Sequence, residues 1–482
     1  MSDSDVRESG AERGAERPAA DGGDPRRWRA LWIIVAAQLL VVLDASVVNI
    51  ALPSAQAALE MSDSSRQWVV TAYSLTFGGF LLLGGRVGDL KGRKKLFIAG
   101  LIGFAVASAV GGFAVNEAML LLARAAQGVS AAFLAPAALA LLTTLFTSDA
   151  ERARAFGIFG AAVGTGGVVG MIFGGVLTEY LSWRWCLWFN VPVVLLLIGP
   201  AMRGLTESKG AASSRLDVPG TLTATLGVGS LIYGISEAVE VGWLGTGTLV
   251  FGGAGLLILA LFVVIEHRSA EPMMPLRIVL NRVRGGGYLV VVLIASGLYA
   301  YYLFLTYFLQ LVKEYSALMT GLAFVPIGVG ILFGSIATGR VLAGVNARTV
   351  MIGGLLLGAA GCALTGTIQP DTGFWAVLFP AQLLIGLGIG AALTTVMRLT
   401  LDGVAPEESG VASALTNATR EIGGAIGISA LNVVAISVAG GGTGNAAITD
   451  GYAAAFLGGA GLLLLAVLIV VVMGRSRTTA TG

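Results

Sequence analysis

Asp44 stands roughly halfway along an otherwise apolar run from Leu31 to Leu52, inside the stretch QLLVVLDASVVNIALP at residues 38–53. A charge at the bilayer centre costs at least about 2.5 kcal/mol. A helix that keeps one there uses it for a proton, an ion or a cationic substrate, or bonds it structurally to a neighbouring helix. Arg124 lies in another apolar run, with Gln127 and Gly128 on its carboxyl side. A guanidinium is effectively always charged, and inside a membrane it needs an acceptor or a water-filled cavity. Its positive field modulates the protonation of a nearby acid, or else it is purely structural. Arg420 and Glu421 stand side by side in a third run. Adjacent residues point about 100° apart on a helix, so they are not automatic partners. Glu421 could carry a proton, meet a cationic substrate, or pair with an arginine elsewhere.

Uncharged candidates accompany these acids. Gln38, Asn49, Tyr73 and Asn417 are polar groups in apolar runs, and the segment YAYYLFLTYFLQ at 299–310 supplies Tyr299, Tyr301, Tyr302, Phe304, Tyr307 and Phe308. Aromatics at helical spacing can line an amphipathic cavity, stack on planar molecules or hold cations. The other reading is an interfacial aromatic belt. Glu237 and Glu240 fall near the end of a run, where solvation is expected.

The elements that must position these groups are membrane helices. Of the 482 residues 56% are hydrophobic and only 12% charged, with a mean hydropathy of +0.84. A soluble chain carries about 25% charged residues, so this is a polytopic membrane protein. Its 70 glycines suit close helix packing in lipid. Cys186 and Cys362 lie in separate runs and the single histidine, His267, sits in a connector, so neither a disulfide framework nor a metal site is expected. No Gly-Lys dipeptide occurs, which excludes a Walker A phosphate loop and with it ATP as the energy source on this chain. A clustered nucleophile or metal set is missing too, which argues against an integral-membrane enzyme. A receptor or purely structural protein leaves the buried charges unexplained.

Apolar runs long enough to span a bilayer begin near residues 30, 67, 96, 118, 155, 186, 218, 246, 287, 319, 349, 373, 410 and 452. This predicts fourteen spans grouped six, two, six. The expected organisation is a disordered cytoplasmic tail over 1–28, a six-helix bundle over 29–203 and a linker with spans seven and eight over 204–284. A second six-helix bundle follows over 285–474, then a cytoplasmic tail over 475–482. Only Arg66, Arg184 and Lys313 fall in connectors on one side, and nearly all other cations flank the opposite side. By the positive-inside rule both termini are cytoplasmic.

The turn after span two reads GRVGDLKGRKK at 85–95. Its glycines permit a tight turn and close helix approach, and Asp89 can bond to basic groups or to free amides at a helix start. Gly85, Arg86, Asp89, Gly92, Arg93 and Lys94 together read as a conformational latch. The same position in the second bundle carries GRVLAGVNAR at 339–348, aligning Arg86 with Arg340 but Asp89 with Ala343. This is a faint internal repeat of the kind found in transporters that rock about a central site. Span five holds Gly164, Gly170, Gly174 and Gly175 among other glycines, several of them four apart, forming a small-residue packing face.

G-x-x-x-D-x-x-G-R-K in that turn resembles the signature of the major facilitator superfamily. LDASVVNIALP (43–53), LLARAAQG (121–128), SWRWCLWFNVP (182–192) and GVASALTNATREIGGAIG (410–427) are similar to motifs of its fourteen-span drug:proton antiporter branch, typified by EmrB and QacA. The resemblance covers almost the whole chain past the amino-terminal tail. It implies an all-α polytopic membrane protein with the major facilitator fold: two six-helix bundles plus two extra central helices. It also implies proton coupling through Arg124. Two departures stand out. Met171 follows Gly170 where the branch's antiporter motif has proline, and Glu421 stands where glutamine is common.

The expectation is proton-coupled efflux of amphipathic drugs or antibiotics across the cytoplasmic membrane by alternating access. Asp44, Arg124 and Glu421 serve the proton, and Gln38, Asn49, Tyr73, Tyr299, Tyr302 and Asn417 the substrate. A symporter importing a small organic solute is the alternative. Partners are a small amphipathic substrate, protons and membrane lipid, with no nucleic acid, no cofactor beyond the proton gradient, and a functional monomer.

Overall fold

The computed structural model describes residues 25–146, 149–209, 217–269, 279–341, 345–401, 409–442 and 444–473. The expected tail at 475–482, and residues 1–24 of the other, lie outside these. The first helix begins at Pro25, so 25–28 are helical where tail was expected.

The first half comprises α1 (Pro25–Leu59), α2 (Asp63–Lys91), α3 (Arg93–Gly112), α4 (Glu117–Leu145), α5 (Asp149–Tyr180), α6 (Trp185–Trp188) and α7 (Asn190–Gly204). A hairpin of α8 (Val218–Val241) and α9 (Thr246–Arg268) follows. The second half contains α10 (Arg282–Tyr307), α11 (Ala317–Ala323), α12 (Val325–Val341), α13 (Ala347–Thr365), α14 (Phe379–Leu401), α15 (Ser409–Ala439) and α16 (Asn445–Val472). Short π-helical turns at Phe308–Val312 and Phe374–Leu378 extend α10 and α14. A backbone in hydrocarbon must satisfy its own polar groups, and helices do so within one segment. Among the described residues eleven helices are long and apolar enough to cross a membrane; a twelfth is added if Ser65–Leu81 and Leu83–Lys91, bent by 48°, form one span.

Within the first half α2 and α3 pack on α4 and α1 packs on α5; within the second, α12 and α13 pack on α14 and α10 packs on α15 and α16. The α1–α5 contact uses the small-residue face. A Cβ on Gly170 would sit 3.1 Å from the Leu43 carbonyl oxygen, and one on Gly174 2.8 Å from Val47 Cα. Gly164 lies in α5, but its surroundings fall outside the described residues. Met171 is buried and α5 runs without a break through it.

The halves meet along two seams, α2 against α15 and α5 against α11. Gly175 faces the second half rather than α1: its added Cβ would lie 2.7 Å from the Ala317 carbonyl oxygen. Among the described residues, every hydrogen bond between the halves lies toward the end bearing the α1–α2 connection. Gln67 Nε2 donates to Ser429 Oγ at 3.5 Å and Asn432 Nδ2 donates to Gln67 Oε1. Gln310 Nε2 donates to the Ile50 carbonyl at 3.0 Å, and the Leu318 amide approaches Glu179 at 3.4 Å. The Arg66 guanidinium stacks 3.7 Å from the Tyr307 ring centroid. The hairpin stands at the first seam, since α8 touches both α2 and α15. Thr225 donates to the Gly79 carbonyl at 2.7 Å.

At the opposite end the internal repeat is structural. Lys94, in the first turn of α3, donates from Nζ to the Met202 carbonyl in the last turn of α7 at 2.7 Å. Arg348, which aligns with Lys94, occupies the first turn of α13 and donates to the Val471 carbonyl in the last turn of α16. Each half thus places a cation on the carboxyl end of its last helix, where the helix dipole and unpaired carbonyls favour positive charge.

Candidate functional site

Asp44 projects from α1 into the interior of the first half and is completely enclosed, with 0% exposure. Arg124 of α4 donates from Nη1 to Asp44 Oδ2 at 2.6 Å. Gln127, one turn further along α4, donates to Oδ1 at 3.0 Å, and Asn190 at the start of α7 donates to the same oxygen at 2.6 Å. Ser108 of α3 accepts from both amides, at 2.7 Å from Gln127 and 3.1 Å from Asn190. Arg124 also donates to Gln127 Oε1 at 2.8 Å and from Nε to the Val69 carbonyl of α2 at 3.2 Å. Two helices besides α1, α4 and α7, therefore bond the carboxylate, and α2 and α3 hold their donors. A buried ion pair needs such additional bonds to offset its desolvation.

Tyr73 of α2 closes this cluster, its ring centroid 4.3 Å from the Arg124 guanidinium carbon. The sequence leads one to expect Asp44 to meet water; in this conformation Arg124 and Tyr73 cover it. Asn190 and Ser108 were not among the expected site residues. Asn190 lies within the SWRWCLWFNVP stretch, while the signal for Ser108 is only that it is a polar residue in an apolar run, a property shared by many serines and threonines here.

Glu421 of α15 is 4% exposed and takes a partner that its spacing did not suggest. The neighbouring Arg420 reaches back to Glu421 Oε1, with Nη2 at 3.1 Å and Nε at 3.3 Å, while the Tyr299 hydroxyl of α10 donates to the same oxygen at 3.0 Å. Side-chain length explains the difference. Cα directions 100° apart do not prevent a long guanidinium from curling around the helix.

The aromatic run of α10 divides between two faces. Tyr301 lies against Phe456 and bonds to Thr365, Phe304 stacks on Tyr452, and Phe308 is fully buried, so these belong to the core of the second half. A cavity lined by the whole run is therefore not what forms. Tyr299 reaches Glu421 and half-buried Tyr302 meets Phe324 edge-on. Of the remaining substrate candidates, Gln38 and Asn49 lie on one face of α1. Their Oε1 and Oδ1 atoms are buried with no hydrogen-bond partner among the described residues, as is the Tyr73 hydroxyl. A buried polar atom without a partner costs about 1–3 kcal/mol; Gln38 and Asn49 carry theirs at separate levels of α1. Asn417 is half-buried, one turn before Glu421 on α15.

The expected latch is built differently from a loop. Residues Gly85 to Lys91 are the last turns of α2, and Gly92 alone separates it from α3. Gly92 has φ +116°, a conformation that L side chains rarely adopt. Gly85 packs instead, its added Cβ lying 3.7 Å from Pro136, and Arg86 is half-buried near the end of α2. Asp89 is paired with Arg93 at 2.7 Å. The free amides opening α3 go to Glu207, beyond α7, which accepts from the Lys94 and Lys95 amides at 3.0 and 3.2 Å. The Arg93 amide bonds to the Ser208 carbonyl at 2.9 Å. Glu207 caps the start of α3, a contact that an acid in a polar connector does not advertise. Among the described residues no group of His, Cys, Asp and Glu is arranged to hold a metal.

Two helical halves meeting along seams, with charges buried beside them, define a membrane transporter rather than an enzyme. The chain belongs to the Major Facilitator Superfamily, whose family model matches residues 34–428. It is 48% identical over 478 residues to the puromycin resistance protein pur8 of Streptomyces alboniger, an alignment covering 96% of this chain and 95% of that one. It is 37% identical to the cephamycin export protein CmcT of Amycolatopsis lactamdurans, covering 98% and 97%. Among solved structures it resembles the POT family transporter PepTSo, with a TM-score of 0.68, 16% identity and coverage of 92% and 97%; that likeness shows the fold alone.

Proposed function

We infer that this chain is a proton-driven exporter of amphipathic drugs or antibiotics in the cytoplasmic membrane. The observation that carries the reading is the enclosed Asp44–Arg124 pair, a titratable charge beside the α2 seam between two halves. Relatives named for puromycin resistance and cephamycin export support an antibiotic as cargo. With bent α2 counted as one span, and with α5 and α8, 32 and 24 residues long, the span count is fourteen. Both termini are then cytoplasmic, and the end fastened by Gln67 and Asn432 is extracellular. The monomer contains both halves and is the working unit.

In the conformation described, the halves are fastened outside and substrate arrives from the cytoplasm. Asp44 is bonded to Arg124, Gln127 and Asn190. Gln38, Asn49 and Tyr73 offer unpaired polar atoms, with Tyr299, Tyr302 and Asn417 across the seam. A proton reaching Asp44 from outside, after cargo has left, neutralises the carboxylate and frees Arg124. Three donors arranged around a charge then face a neutral acid, which favours the return of the carrier. Gly92 and Glu207 hold the α2–α3 junction to the segment after α7, so that movement of α2 and α3 is transmitted as a unit.

Everted membrane vesicles test the direction and the energy source together. Puromycin is expected to accumulate in the lumen when respiration acidifies it, and to leave on addition of a protonophore. Accumulation that a protonophore leaves intact, or proton-driven movement the other way, contradicts the reading.

A further inference from the structure

Asp44 is fully enclosed, so a proton from outside needs a way in, and Arg124 and Tyr73 cover the carboxylate toward α2. A cavity of about 10 Å³ lies inside the first half on the remaining approach. Its walls stand one turn beyond members of the Asp44 cluster, toward the end bearing the α1–α2 connection. Val48 follows Asp44 by a turn of α1, Leu120 precedes Arg124 by a turn of α4, and Leu187 comes a turn before Asn190. Val69 adds a wall from α2, and its carbonyl is the one that Arg124 Nε reaches at 3.2 Å. Trp183 closes the outer end, with the Arg184 guanidinium carbon 4.4 Å from its ring centroid. No nitrogen or oxygen faces the void. The Cys186 thiol beside it is turned to α5, with Thr178 Oγ1 at 3.3 Å and the Gly174 carbonyl at 3.7 Å. The Trp183 indole N–H is buried without a partner among the described residues. A buried water needs about 10–15 Å³ or more and about two to four polar partners. This void has room for one water and at most one donor beside it, so it is dry.

We propose that this apolar cavity is the proton gate of the carrier: dry, it insulates Asp44 from the outside, and wetted, it brings the proton to Asp44 through the interior of the first half. This rests on the exporter reading and gives the proton its path. Hydrophobic constrictions gate by dewetting, and a small parting of α1, α4 and α6 is enough to admit a chain of waters. Hydronium then gives its proton to the Asp44 carboxylate and leaves as water. Cargo and proton approach from different sides, cargo along the seam and the proton from behind the carboxylate. The walls are positioning residues, since they decide when water reaches Asp44 and touch neither the proton's final site nor the cargo.

The test is proton leakage with no drug present. The purified full-length chain is reconstituted into liposomes that hold a pH dye, with valinomycin and equal potassium on both sides, and external acid is added. The wild-type chain is expected to leak no faster than empty liposomes. Val48→Thr with Leu120→Asn puts two polar groups into the walls and is expected to raise leakage severalfold. Adding Asp44→Asn to that pair returns it to the wild-type rate. Val396→Thr, the same change in the buried core of the second half, is expected to leave leakage unchanged. Wild-type leakage from the wetted pair overturns the proposal; so does leakage that survives Asp44→Asn or appears equally in Val396→Thr. Where the wetted pair fails to fold, Ala51→Val, which narrows the void from α1, decides. It is expected to slow proton-driven puromycin accumulation severalfold while the KM for puromycin and drug-for-drug counterflow stay as in the wild type. Unslowed accumulation overturns the gate, and puromycin accumulation by the wild-type chain reports separately on the exporter reading.

Discussion

Asp44→Asn is expected to give a carrier that no longer concentrates drug, whatever residual exchange it supports. The amide has the shape of the carboxylate but cannot satisfy its neighbours. Asp44 accepts on both oxygens, from Arg124 on one and from Gln127 and Asn190 on the other. An asparagine in either orientation turns an N–H toward a donor. It also strands the Arg124 cation, and breaking a buried pair from one side costs about 3–5 kcal/mol. Two results should follow. The ratio of drug inside to outside energised vesicles falls to unity, while counterflow of labelled against unlabelled drug, which needs no proton, is retained in part. Thermal unfolding of the purified variant also moves to lower temperature. Energised accumulation at the wild-type level would remove Asp44 from the coupling.

The second large effect concerns the seam. Gln67 and Asn432 bridge α2 and α15 at the end where all the hydrogen bonds between halves among the described residues are found. If export requires that end to part, a covalent link there stops it. A Gln67→Cys, Asn432→Cys double variant treated with a short bifunctional methanethiosulfonate is expected to lose transport almost completely and recover it in reductant. Either single variant should transport normally under the same treatment. The native Cys186 and Cys362 are both buried and free, which limits their reaction with the reagent. A cross-linked carrier that still exports at full rate would mean that the α2–α15 seam does not open.

Legibility in the sequence followed how far each residue's surroundings are determined by its own helix. Asp44 and Arg124 stand out because a charge in an apolar run is costly wherever the run packs, and they prove to be partners. Nothing local says that Asn190 and Ser108 complete that cluster, because their role depends on how α3 and α7 are rotated against α1. The aromatic run of α10 shows the same limit from the other direction. Tyr301, Phe304 and Phe308 follow helical spacing and form one stripe, directed into the second half; Tyr299 and Tyr302, three apart, occupy the opposite face and look toward the seam. The run announces aromatics, and only packing divides them into core and site. Glu207 was hidden for a simpler reason. An acid in a polar connector reads as solvated, and its work capping α3 requires the connector to fold back over Gly92. The repeat between 85–94 and 339–348, faint as letters, becomes firm when Lys94 and Arg348 are seen bonding to the carboxyl ends of α7 and α16.

The central claim is that cargo and a proton on Asp44 exclude each other, and proton release on binding measures it. Puromycin added to the purified chain in weakly buffered detergent solution, followed with a pH indicator from acid to neutral pH, is expected to release protons on the acid side. The release is expected to be absent from Asp44→Asn at every pH. Equal release from the variant and the wild-type chain would contradict the account.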